Sequence, residues 1–137
     1  MVVIDTSVAY KFFTSEEDQE QALNILKKHK EGEETIIIPD LLLYEIANAW
    51  STKTSISSSQ IATNLNDLKD ANFKIETVSF ELIYESIKLS IEYKISVYDA
   101  CYAALAKKND CDLITADNKF ADKVNLLSFV KKLSEYE

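Results

Sequence analysis

The chain has 137 residues, 47% of them hydrophobic, with 23 acidic against 15 basic side chains and a formal charge of −8. That length suits one domain, spanning 1–137, that can bury roughly two thirds of its unfolded surface, and the apolar content argues against disorder. The negative charge opposes non-specific attraction to polyanions, and the absence of arginine removes bidentate recognition of phosphate or base.

Val2-Val3-Ile4 is a short apolar run that stops at Asp5-Thr6-Ser7. It reads as a buried strand ending where a helix begins, with the Asp5 carboxylate at the C-terminal edge of a sheet. Asp5 is then either an N-cap or the first member of a site. A short helix is expected over 8–13, and a second opens at Ser15-Glu16-Glu17-Asp18 and runs to Gly32. His29 falls in the last turn of that helix, where the dipole favours it. Thr35-Ile36-Ile37-Ile38 is a second buried strand, ended by Pro39, and a helix follows over 40–52. Ser57 to Gln60 supplies a capping box for a helix through Leu65 and Leu68. A partly exposed strand is expected over 73–78, helices over 80–92 and from Ser96 to Ala106, a fourth strand over 112–115 and a short fifth over 125–128. Strands alternating with helices, without glycine-rich hairpins, indicate a parallel sheet covered on both faces, hence an α/β fold.

Several chemistries drop out. Gly32 is the only glycine, so neither a dinucleotide fingerprint nor a P-loop is present. Cys101 and Cys111 are too few for a zinc site and read as small buried hydrophobes. Only four apolar residues, Met1 to Ile4, precede Asp5, with Lys11 shortly after, so no signal peptide is expected. No apolar run approaches the ~18 residues of a membrane span, and the expected location is the cytoplasm.

Carboxylates and hydroxyls remain. Asp5 follows the first strand, Asp117 the fourth, and Asp99 lies in the first turn of the helix capped by Ser96. Right-handed crossovers bring such loops to one sheet edge. Asp117 and Asp99 each have a capping role as an alternative reading. Glu45 borders the apolar face of its helix, whereas Glu16, Glu17, Glu81 and Glu85 read as ordinary helix surface. Two like charges about 4 Å apart repel by about 1 kcal/mol in water and about 4 kcal/mol at an effective dielectric of 20. Four carboxylates that met would need protonation or a cation. An oxygen-only set selects Mg²⁺ or Mn²⁺ over zinc and suits phosphodiester hydrolysis.

Val3-Ile4-Asp5-Thr6-Ser7-Val8, Tyr44-Glu45-Ile46-Ala47-Asn48-Ala49, the run from Tyr98-Asp99 to Ala106, and the run from Leu113 to Asp117-Asn118-Lys119-Phe120 resemble, in order, the motifs of PIN domains. In length and layout the chain is similar to VapC-type ribonuclease toxins. The resemblance implies a three-layer fold with helices on both faces of a parallel sheet in the order 3-2-1-4-5. It implies an Mg²⁺- or Mn²⁺-dependent site of Asp5, Glu45, Asp99 and Asp117 that cleaves RNA. Asp5, Asp99 and Asp117 would be metal ligands, Glu45 would orient or deprotonate water, and Ser7 and Thr115 would be supporting hydroxyls. It further implies a VapB-type antitoxin sending a basic side chain into the pocket, and homodimerisation, with Trp50 and the helices after Pro39 as the contact surface. The acidic, arginine-free composition departs from strong autonomous RNA binding and makes a basic partner more pertinent.

Other readings are a PIN nuclease of RNA processing without an antitoxin, and a PIN-like scaffold that binds partners without cutting. A phosphatase using Asp5 as nucleophile needs a second Asp where Ser7 stands. A receiver domain lacks its acidic pair.

Overall fold

The computed structural model describes residues 1–53 and 55–137. Five parallel strands, β1 (Val2–Ile4), β2 (Ile36–Pro39), β3 (Lys74–Glu76), β4 (Asp112–Thr115) and β5 (Val130–Lys132), form one sheet in the order β3-β2-β1-β4-β5. β1 is therefore central, with Val3 paired to Ile37 on one side and Leu113 on the other. Val2, Val3, Ile4, Ile36, Ile37, Ile38, Leu113 and Ile114 are all buried, as unbroken apolar runs must be when both faces of a sheet are covered. Pro39 closes β2 beyond its pairing with β1, so its missing N–H interrupts no ladder there.

The helices are α1 (Thr6–Lys11), α2 (Gln19–Lys30), α3 (Leu41–Thr52), α4 (Ser58–Asp70), α5 (Phe80–Tyr93), α6 (Val97–Lys108) and α7 (Asn118–Lys123). They flank the sheet to make three layers. α6 packs against β1, β2 and β4 with α5 alongside it, and seven successive residues, Ala100 to Ala106, are buried. Four alanines in that run allow helix and sheet to approach closely. Ser57, Ser79 and Ser96 cap α4, α5 and α6, each accepting a hydrogen bond from the backbone N–H three residues on.

Four expectations need correction. The fifth strand is Val130–Lys132, not 125–128. A parallel neighbour of β4 has to start again at the far edge of the sheet. Residues 124–129 make that return, with the Leu127 N–H donating to the Val124 carbonyl and Leu126 left 82% exposed. Second, α2 opens at Gln19 rather than at Ser15. Asp18 adopts the left-handed conformation (φ 62°) without a side-chain cap, and Lys11 binds Glu16 and the Glu17 carbonyl instead. Third, Trp50 is no surface anchor. It lies on the buried stripe of α3 with Leu42, Ile46 and Ala49, is 2% exposed, and meets Phe13 edge-on at 5.2 Å between ring centroids. Fourth, Cys101 is buried but Cys111 only half-buried; burial pushes both thiols up, that of Cys101 to about 11.

His29 ends α2 as expected and also fixes it in place. Its Nδ1 accepts from the Ile36 N–H at 3.1 Å, and its Nε2 donates to the Ala71 carbonyl at 2.9 Å. Gly32 takes φ +77° just after the helix, the left-handed conformation that glycine adopts without a Cβ penalty.

Candidate active site

The central strand sets the position of the first acid. Asp5 follows β1 and caps α1, with its Oδ1 accepting from the Val8 N–H at 3.2 Å. It is only 7% exposed, and both of its oxygens receive hydroxyl protons: Ser7 donates to Oδ1 and Thr115 to Oδ2, each at 2.5 Å. These hydroxyls are themselves aimed by the backbone. The Ala116 N–H donates to Ser7 Oγ at 2.9 Å, and the Asp117 N–H to Thr115 Oγ1 at 3.0 Å. With the acceptor side of each hydroxyl occupied, its proton points at the carboxylate. The loop after β4 thus orients the acid after β1. Burial still outweighs these donors, and the Asp5 carboxyl is raised from 3.8 to about 6, with Asp99 adding repulsion.

Glu45 projects from α3 and is half-buried. Tyr102 of α6 donates to its Oε1 at 2.5 Å, and the Thr6 hydroxyl lies 3.0 Å from the same oxygen and 2.8 Å from the phenol. Burial, then the Glu45 carboxylate, pushes the Tyr102 phenol far above its ordinary range, so it stays protonated and stays a donor. Asp99 is half-buried in the first turn of α6, where its N–H donates to Ser96 Oγ at 3.1 Å. Its carboxyl is raised, chiefly by burial, then by the charge of Asp117, with Ser96 opposing and Glu45 adding to the rise. Asp117 is exposed and caps α7, its Oδ1 accepting from the Phe120 N–H at 3.0 Å. The capping readings of Asp5 and Asp117 therefore hold alongside any other role.

Asp5, Glu45, Asp99 and Asp117 line one cavity of about 650 Å³, and Ser7 lines it with them. Four separate elements bring them there. Among the described residues, however, no three His, Cys, Asp or Glu side chains form a cluster that could by itself hold a metal ion. What the cavity offers is an all-oxygen donor set. That fits a hard ion such as Mg²⁺, which is commonly held by one or two carboxylates and keeps several waters.

Other residues that line this cavity did not stand out in the sequence, among them Thr6, Tyr102, Lys11, Glu16, Asn48 and Lys53. Thr6 and Tyr102 hold Glu45; the signals were adjacency to Asp5 and the Asp99–Tyr102 spacing, which puts both on one face of α6. Glu16 is no helix-surface residue, since it precedes α2 and bonds Lys11 at 3.3 Å.

The PIN domain family model matches residues 2–126. The chain belongs to the PIN-domain family. Among curated relatives it is similar to "Ribonuclease VapC3" of Pyrobaculum aerophilum, with 28% identity over 126 residues that cover 89% of this chain and 93% of the relative. Among solved structures it resembles a toxin–antitoxin complex from Klebsiella pneumoniae, with a TM-score of 0.71, 20% identity and coverage of 97% and 98%. It likewise resembles VapBC2 from Rickettsia felis bound to a promoter DNA fragment, with a TM-score of 0.71, 21% identity and coverage of 96% and 98%. The sheet order β3-β2-β1-β4-β5 is that of the PIN fold.

Proposed function

We propose that this PIN domain is an Mg²⁺- or Mn²⁺-dependent endoribonuclease, acting in the cytoplasm as the toxin of a VapBC-type pair. One observation carries the reading: four carboxylates from four elements line one cavity, and the most buried of them is raised to about 6 by its surroundings. Clustered acids held in this way are unfavourable at neutral pH without a cation, and a cation offsets both the burial and the mutual repulsion.

In this reading Asp5 and Asp99 hold the ion, directly or through water, and Asp117 completes its surroundings. The bound ion would polarise the phosphoryl group, favour ionisation of water and stabilise the leaving oxygen. The chain's own residues do the rest. Ser7 and Thr115 keep both Asp5 oxygens fixed; Oδ1 also accepts from the Val8 N–H, so Oδ2, with a single donor, is the oxygen with a lone pair left for an ion. Glu45, oriented by Tyr102 and Thr6, aligns the attacking water and accepts its proton. Protein neighbours are expected as well: a VapB-type antitoxin whose basic residue enters the acidic cavity, and a second copy of the chain. Trp50 does not serve either contact. Exposed Phe80, Tyr84 and Ile91 on α5 give an apolar stripe that supports the expectation of a protein partner.

The test is cleavage of a single-stranded RNA by the wild type and Asp99→Asn, with and without Mg²⁺ or Mn²⁺. The wild type should cut only with metal, and the variant should lose at least a hundredfold in rate. Equal activity in both would remove the proposed site. A second reading is a PIN-fold scaffold that binds partners without cutting, favoured by the lack of a ready-made three-carboxylate cluster among the described residues. It predicts no cleavage under any metal condition, with partner binding intact. Co-purification with a small basic protein would separate a toxin from a processing nuclease.

A further inference from the structure

The cavity is longer than its acidic end. Along α3 it is lined by Glu45, then Asn48 and Ala49, then Lys53, the residue that follows the helix. Eight residues at 1.5 Å each carry it about 12 Å from the carboxylates. The last residues of α1, Tyr10 and Lys11, and the loop residue Glu16 also line it. Lys11 is not an ordinary surface lysine. Its side chain is 13% exposed, and its Nζ is held by Glu16 Oε2 at 3.3 Å and the Glu17 carbonyl at 2.7 Å. Glu16, by contrast, is 44% exposed, so the pair has one sheltered and one solvated partner.

The charge balance makes this end matter. Five carboxylates and two lysines, Lys11 and Lys53, line the cavity. An RNA strand whose cleaved phosphate meets the acids has neighbouring phosphates, and in an arginine-free chain lysines are the cationic side chains that can receive them, beside neutral donors such as asparagine.

We infer that Lys11, Asn48 and Lys53 form a subsite for an RNA phosphate flanking the cleaved one, with Lys11 held in reserve by Glu16 until the strand displaces that carboxylate. The inference rests on the ribonuclease reading and deepens it. Exchange of one anionic partner for another keeps the Lys11 ammonium paired throughout, so it is never left sheltered and unmatched. Lys53 and the Asn48 amide supply further donors on the α3 side. The three residues act on binding and register of the strand and touch none of the reacting atoms, which makes them positioning residues.

The experiment measures binding of a fluorescein-labelled single-stranded RNA by anisotropy, in Mg²⁺, in the Asp99→Asn background so that the probe survives. Steady-state cleavage is followed in parallel in the otherwise wild-type chain. Lys11→Ala should raise Kd and KM about tenfold with kcat kept within about twofold. The slope of log K against log salt should fall by about 0.7, one phosphate contact on a single strand. Lys11→Arg should restore both, and Lys53→Ala should act in the same direction as Lys11→Ala. Glu16→Gln discriminates most sharply. If Lys11 is held in reserve, freeing it tightens RNA binding; if Lys11 merely staples the loop, losing Glu16 weakens binding or leaves it unchanged. Unaltered Kd and salt slope in Lys11→Ala, or binding in Glu16→Gln that is weaker, unchanged, or tightened equally when Lys11 is also alanine, would overturn the inference while leaving wild-type cleavage intact. A wild-type chain that neither cuts nor binds the RNA would remove the ribonuclease reading and this subsite together.

Discussion

Asp5→Asn should stabilise the metal-free protein at neutral pH. The Asp5 carboxyl loses its proton at about 6 in the folded chain against 3.8 ordinarily, so between these values the folded state binds more protons than the unfolded state. The group's contribution to stability is therefore full below pH 3.8 and lost as pH rises through 6. Two units correspond to about 3 kcal/mol against the folded state at pH 7.5. Asparagine removes that charge at nearly constant volume. Its Oδ1 can keep the Ser7 hydroxyl and Val8 N–H, but its amide must donate to Thr115, whose proton then turns away at a cost of about 1 kcal/mol. The net gain at pH 7.5 is about 1–2 kcal/mol, several degrees in Tm for a chain of this size. Thermal unfolding in chelator should show the variant more stable at pH 7.5 and no better than wild type at pH 4. Adding Mg²⁺ should raise the wild-type Tm and leave the variant unmoved, because only a chain that binds the ion gains by mass action. A variant less stable than wild type at pH 7.5 in chelator would refute the reasoning. The buried carboxylate would then be fully compensated by its hydrogen bonds, a cap and nothing more.

Other outcomes follow from the same contacts. Thr115→Val deletes the hydroxyl bond to Asp5, and the acceptor of the Asp117 N–H, without opening space; it should move the acid limb of the cleavage pH profile up by about one unit, which the rate followed across about pH 5 to 9 would show. Trp50→Ala should cost about 3–5 kcal/mol, since the ring is buried against Phe13, and calorimetry should register a fall of more than 10 °C in Tm; a change under 1 kcal/mol would contradict its core placement.

The parts of the fold that were legible in the sequence are those where local chemistry and tertiary context agree. Unbroken apolar runs at Val2–Ile4 and Ile36–Ile38 can only be buried, and Ser57 and Ser96 stand three residues ahead of the amides they cap. Leu126 and Leu127 misled because apolar content alone cannot distinguish a strand from the return segment a parallel strand requires. The start of α2 was hidden for a related reason: Lys11, on another helix, holds the Glu16 carboxylate and the Glu17 backbone carbonyl ahead of it. The four carboxylates that line the cavity could be picked out because each ends a strand, opens a helix or borders an apolar stripe. Thr6 and Tyr102 could not, because a hydroxyl's role depends on which carboxylate it meets across the fold. Lys11 was equally opaque, since one lysine among fifteen gives no sign from the sequence that its stem is sheltered.

Metal-assisted attack by water on an RNA phosphodiester leaves its signature in the chemistry of the cut ends. RNA digested by the wild type in Mg²⁺, then resolved by mass spectrometry, should carry monophosphate and hydroxyl ends, and a chelator should abolish the cut. Ends bearing a 2′,3′-cyclic phosphate, formed at an undiminished rate in chelator, would mean that the RNA's own 2′-hydroxyl is the nucleophile and that the four carboxylates serve some other purpose.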